Sequence, residues 1–186
     1  MPDPTGRFSS SSLRRLISSL NSIRFRDESG EVEYFGQKVV LLRRDVFQLI
    51  RKELSRVAGE AANVILGLAG RRVGAEEGKA LVVKAEVLGF KGPDTFPEFV
   101  KTAVEETNMG IGKLRVIEMS EEGNVSLSIQ NGFEAEKTGD LKPTCFFTLG
   151  YLEGVFSQLL GKDLRGRETA CRGRGDDSCR FDIGPA

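Results

Sequence analysis

Leu164-Arg-Gly-Arg-Glu168-Thr-Ala-Cys171-Arg-Gly-Arg-Gly-Asp-Asp-Ser-Cys179-Arg-Phe-Asp-Ile183 is the stretch whose reading decides this chain. With Cys145 upstream, it holds every cysteine of the protein, three in all. Leu164 to Cys171 and Cys179 to Ile183 read as an antiparallel pair, joined by the glycine-rich Gly173-Arg174-Gly175-Asp176-Asp177. Once ionised, Cys145, Cys171 and Cys179 are soft sulfur donors, and Glu168 adds a hard oxygen. Four protein ligands form a closed set that suits tetrahedral zinc. A catalytic zinc keeps one position open. The set therefore reads as a structural clasp, with no catalytic residue expected at it. Residues three apart point to opposite faces of a straight strand. For Glu168 and Cys171 to share an ion, the strand must bulge between them. Three buried free cysteines would fit the same spacing, because free cysteine is a common core residue.

Working outward, Pro143 suits a first helical turn. Phe146, Phe147, Leu149, Leu152, Val155, Phe156, Leu159 and Leu160 follow it on a helix apolar nearly all round, which is expected at the centre of the core. Gly150 and Gly154 make a flat spot on it, and Gly161 ends it. Cys145 is expected in the first turn, where the helix dipole lowers a thiol pKa. Arg165, Arg167, Arg172, Arg174 and Arg180 crowd the clasp; they read either as charge compensation or as a solvated hairpin. Arg174-Gly175-Asp176 spells an adhesion tripeptide that is read as chance.

The chain has 186 residues, 39% of them apolar, enough for one domain with a core. Residues 1–27 read as an arm with a short helix, and 28–186 as the domain. Lysine plus arginine number 27, as do aspartate plus glutamate, so no general footprint for nucleic acid exists. There is no histidine, which excludes Ser-His-Asp and Cys-His nucleophile systems and histidine-held haem. An odd cysteine count argues against a disulfide framework. No signal peptide or apolar run long enough to span a membrane is read. A reducing, cytoplasmic location is the expectation.

Ile23 to Arg26 and Val32 to Phe35 read as a hairpin, with Val39 to Leu42 as a buried extended segment. Val46, Ile50, Leu54, Val57, Ala61, Ile65 and Leu68 form one stripe on a long helix. Asp45 is placed to cap its start and Gly70-Arg71-Arg72 to end it. That stripe is either ordinary core or a dimer seam. Gly59, Ala61, Ala62 and Gly67 would let a partner come close. Ala75 to Val87 reads as a further helix, and Phe96, Phe99, Val100, Ala103 and Val104 lie on the face of another. Leu114 to Met119 and Val125 to Ile129 read as strands about a turn at Glu121 to Asn124. Hairpins dominate, so the fold class expected is α+β, an antiparallel sheet packed with helices.

Gly150-Tyr-Leu-Glu-Gly154, Glu168-Thr-Ala-Cys171 and Gly175-Asp-Asp-Ser-Cys179-Arg-Phe-Asp-Ile183 resemble the C-terminal signature of the 4-vinyl reductase domain family. Phe35-Gly36, Arg43-Arg44-Asp45, Arg51-Lys52-Glu53-Leu54 and Gly59-Glu60-Ala61 resemble it as well. The resemblance implies the ligand-binding fold of the NO-signalling and Golgi-transport type, shared with vesicle-tethering TRAPP subunits and phenol-sensor domains. It implies zinc on Cys145, Glu168, Cys171 and Cys179, a homodimer, and a small hydrophobic ligand held near the zinc lobe. Phe96, Phe99, Val116, Leu127 and Leu149 are the pocket candidates. The phenol sensors grip phenol with a histidine and a tryptophan, and this chain has neither. The expected function is a non-enzymatic binding or sensor domain. A TRAPP-like docking subunit and a tetrapyrrole-related reductase accessory protein are the alternatives. No nicotinamide-binding glycine motif is present.

Overall fold

Glycine decides how two helices of this protein meet. Gly70, Gly74 and Gly78 lie along one helix, Gly150 and Gly154 along another. A Cβ built on Gly74 would stand 2.0 Å from the Tyr151 carbonyl oxygen. One on Gly150 would stand 2.0 Å from that of Gly67. Only hydrogen at these positions lets the two backbones touch. The computed structural model describes residues 23–34, 37–90, 96–106, 111–135 and 144–186. The side chains of Phe96, Pro97 and Glu106 are outside that description, as are the arm and short helix expected before Ile23 and the turn at 92–94.

The elements run β1 (Ile23–Arg26), β2 (Glu31–Tyr34), β3 (Gln37–Val39), α1 (Arg44–Ala58), α2 (Ala61–Val87) and α3 (Phe96–Glu106). Then come β4 (Lys113–Met119), β5 (Val125–Gln130), α4 (Phe146–Leu160), β6 (Leu164–Ala170) and β7 (Cys179–Pro185). β1, β2 and β3 form an antiparallel meander. The second sheet runs β4-β5-β7-β6, antiparallel throughout. This is the mixed helix and antiparallel-sheet class expected. α4 packs on α2 more extensively than any other pair of elements meets, and its far side lies on β6. Tyr151, Leu152, Val155, Phe156 and Leu159 of α4 are buried, against Leu127, Ile129, Phe181 and Ile183 of the sheet in one core.

Several expectations fail here, for related reasons. The long helix does not run from Val46 to Gly70. It breaks at Gly59, whose φ is 58°, and the second piece continues to Val87, absorbing the separate helix expected from Ala75. A left-handed φ suits glycine and terminates the first helix. The apolar stripe is not core: Val57 is 76% and Leu68 62% exposed. The face that α2 buries is Ala62, Leu66, Gly70, Gly74, Gly78, Leu81 and Ala85, where small residues dominate. Close backbone packing outweighed side-chain size in choosing the face. Val40, Leu41 and Leu42 are exposed rather than buried, Val40 at 80%. Asp45 does not cap α1. Arg43 stands at the cap, and Asp45 pairs with it at 3.0 Å. Arg71 lies inside α2 rather than ending it; it bonds Glu153 at 2.8 Å and the Leu164 carbonyl at 2.8 Å. Glu153 in turn accepts from the Gly166 amide at 2.8 Å, so this half-buried group ties α2, α4 and β6 together.

Glu77 of α2 takes a hydrogen bond from Gln37 at 3.5 Å and lies near Lys84 and Tyr151. Burial pushes its carboxyl up from the usual 4.5. A raised folded-state value means that the associated stability is present below the unfolded value and lost as pH rises through the folded one. Glu77→Gln is therefore expected to gain on the wild type between about pH 4.5 and pH 7.5. Urea midpoints of both proteins across that range check it; a constant difference would count against it.

Candidate metal centre

The last helix and the closing hairpin bring the four donors together. Cys145 is the N-cap residue of α4, one position before the first turn expected for it. Glu168 lies on β6, Cys171 directly follows it, and Cys179 opens β7. The bulge required for Glu168 and Cys171 to share a side is present. Glu168 pairs with Phe181 and Ala170 with Arg180, so the register shifts between them. A 3₁₀ turn at Arg172–Arg174 and a left-handed Gly175 then bring the chain back to Cys179. Asp176 secures that turn. Its carboxylate accepts the Cys171 amide at 2.7 Å and an Arg174 guanidinium bond at 3.1 Å. The Arg-Gly-Asp tripeptide is thus a local fastener of the loop.

One ligand atom from each of Cys145, Glu168, Cys171 and Cys179 lies within 4.8 Å of all the others. The Cys145 sulfur is 3.6 Å from that of Cys179 and 4.0 Å from that of Cys171. A disulfide needs about 2.05 Å, and all three cysteines are free. Tetrahedral zinc with bonds of about 2.3 Å to sulfur sets its sulfurs about 3.8 Å apart. The observed spacings bracket that value. Glu168 Oε2 accepts the amides of Thr144 and Cys145, both at 3.1 Å. Its Oε1 is buried with no hydrogen-bond partner. An orphaned buried carboxylate oxygen beside three buried sulfurs is a cost that a cation would remove. The donor set therefore fits a metal ion, and these four residues could hold one.

The electrostatics agree with that fit, but not with the dipole expectation for Cys145. Hydrogen bonding to Cys171 is the main influence that pushes the Cys145 thiol up; its contact with Cys179, burial and the Glu168 charge add to it. The sulfur held down is Cys171, to about 3, chiefly because Cys145 donates to it. Burial pushes Glu168 up to about 7. Four acidic groups this close compete for charge, and a divalent cation relieves the competition. Arg172 and Arg174 do not touch the donors: Arg172 reaches Asn131, and Arg174 reaches Asp176 and the Thr169 carbonyl.

Sequence reasoning missed Glu134, which it placed in a polar connection. It is completely buried. Its two oxygens accept the Phe147 and Thr148 amides of α4 at 2.9 and 2.7 Å. Burial pushes its carboxyl up. A lone acidic residue shortly before an apolar helix was the available signal, since carboxylates favour helix N-termini. Of the pocket candidates, Phe99, Val116 and Leu127 are buried in the main core and Leu149 packs half-buried against it. The Phe96 side chain is outside the described residues. Among the described residues, no helix is long and apolar enough to cross a membrane.

No curated protein matches the chain. Among solved structures, it is similar to the phenol-responsive sensory domain of the transcription activator PoxR with phenol. The TM-score is 0.79 at 21% identity, over 96% of this chain and 92% of that one. It is also similar to a trafficking protein particle complex subunit 3 from Naegleria fowleri covalently bound to palmitic acid. There the TM-score is 0.56 at 14% identity, over 76% of this chain and 91% of that one. An H-NOX protein from S. oneidensis gives a TM-score of 0.51 at 12% identity, over 93% of this chain and 88% of that one. At these identities the likeness is one of fold, the fold that the resemblance implied. From β5 through β7, over residues 125–185 and including three of the four clustered donors, the chain matches the vinyl-4-reductase domain family, with Cys145, the fourth donor, inside the same span.

Proposed function

We propose that this chain is a non-enzymatic binding domain for a small apolar molecule, built as a unit from about residue 28 onward. Structural zinc on Cys145, Glu168, Cys171 and Cys179 holds it together. The observation that carries the zinc reading is the orphaned Glu168 Oε1 among three buried sulfurs. Three thiols with one carboxylate favour zinc over hard cations such as magnesium or calcium. Support for the apolar ligand comes from the shared fold, since one structural relative is described with phenol and another with palmitic acid. The absence of histidine and tryptophan separates the ligand from phenol itself.

The exposed apolar side chains Ile50 and Val57 of α1 and Val64, Ile65 and Leu68 of α2 support a homodimer. Apolar surface of this kind marks interaction sites. The same face favours the second reading, a docking subunit that holds no small molecule. A reducing, cytoplasmic setting suits thiolate ligands.

Native mass spectrometry of the purified chain is expected to show one zinc per chain and an assembly at twice the 20.4 kDa protomer. A thermal-shift panel of alkanes, alkylphenols and fatty acids is expected to raise the melting temperature with at least one class, increasingly with concentration. Protein without zinc would end the clasp reading. Melting that ignores every compound would leave the docking subunit in its place.

A further inference from the structure

Glu134 stands where the metal cluster and α1 are joined. Its carboxylate holds the Phe147 and Thr148 amides in the first turn of α4. The residue before that turn is Cys145, whose amide is held by Glu168. Two carboxylates thus divide the free amides at the entry of α4, and one of them belongs to the cluster. The Glu134 backbone faces the other way. Gln48 of α1 donates to the Phe133 carbonyl at 2.9 Å and to the Glu134 carbonyl at 3.2 Å. Arg51 reaches the Glu134 carbonyl at 3.4 Å, and Arg44 bonds the Gly132 carbonyl. Phe133 meets Phe47 of α1 edge to face with centroids 4.7 Å apart, and Phe147 of α4 at 6.0 Å.

α1 buries no residue of its own and meets α2 only sparsely. Its hold on the domain therefore runs through residues 132–134. The same three residues are fixed to α4 by a fully buried carboxylate that cannot turn to water for other partners. If the entry of α4 shifts, the carbonyls that α1 needs shift with it.

We infer that Glu134 is a positioning residue that couples the metal cluster to α1, so that metal occupancy sets how firmly α1 is held. This deepens the zinc reading and rests on it. The helix so controlled carries part of the exposed apolar face, including Ile50 and Val57. Metal loss would loosen that face before the glycine contact between α2 and α4 gives way.

The test is hydrogen–deuterium exchange of residues 44–58 against residues 61–87 in the full chain, zinc-loaded and chelator-stripped. In the wild type, stripping is expected to speed exchange in 44–58 about fivefold or more relative to 61–87. Glu134→Gln is expected to keep its zinc by native mass spectrometry while losing most of that metal-dependent difference. Gln48→Ala cuts the link from the α1 side without touching α4, and is expected to behave alike; it decides the matter if Glu134→Gln does not fold. An equal rise in both segments, or a full difference retained in the variants, overturns the coupling. A wild type without zinc overturns the clasp itself, and is told apart by the mass measurement alone.

Discussion

Changing Cys171 and Cys179 together to serine is expected to abolish zinc binding and remove at least about 4 kcal/mol of stability, the linkage term for a ligand at a thousandfold excess over its Kd. Structural zinc contributes folding free energy outright, because the unfolded chain has no preformed site. The two sulfurs flank the turn that joins β6 to β7, and both are buried. Without the ion, nothing fastens that turn to Cys145 except weak contacts at 3.6 and 4.0 Å. Serine oxygens are poor replacements for thiolates, and they would sit buried beside the orphaned Glu168 Oε1. Total stabilities of domains run to about 5–15 kcal/mol, so much of the double variant could unfold at ordinary temperature. Native mass spectrometry and thermal melting, each with and without chelator, provide the check. Wild-type melting that ignores the chelator, or a double variant that still carries one zinc, would refute the expectation.

Gly150→Ala is expected to be nearly as damaging, at about 3 kcal/mol or more, from the upper end of overpacking costs. The new Cβ would stand 2.0 Å from the Gly67 carbonyl oxygen and 3.0 Å from the Arg71 amide. Both are backbone atoms of a helix and cannot swing away as a side-chain tip can. α2 and α4 would have to separate along the contact that centres the fold. Gly67→Ala is the matched control on the opposite helix. Its Cβ would meet only the Phe146 carbonyl oxygen, at 3.7 Å, an ordinary contact. Alanine there is expected to be neutral, or to stabilise by up to about 1 kcal/mol through helix propensity. Urea unfolding of the two variants separates close approach from a generic glycine effect; equal costs would refute it.

The four donors were legible because ligand chemistry is written in residue types and their spacing. The bulge between Glu168 and Ala170 was legible for a similar reason, since donors three apart on a strand share a side only there. The apolar circumference of α4 also announced its burial. The stripe from Val46 to Leu68 misled, because periodicity shows that one face is apolar and not what will cover it. Glu134 was hidden because its role depends on amides that lie 13 and 14 residues further along. The ionisation of Cys145 was misjudged because the helix dipole is a local property, whereas the neighbouring sulfurs arrive from β6 and β7.

By itself, then, the sequence determined most of the elements, the antiparallel class and the identity of the clustered ligands, all of which follow from local pattern and donor chemistry. The tertiary structure alone decided which face of α2 is buried, where the first long helix breaks, and that residues 132–134 join α1 to the entry of α4. Those outcomes depend on how closely two backbones can approach and on which distant amides a buried carboxylate meets. Neither quantity exists until the chain has folded.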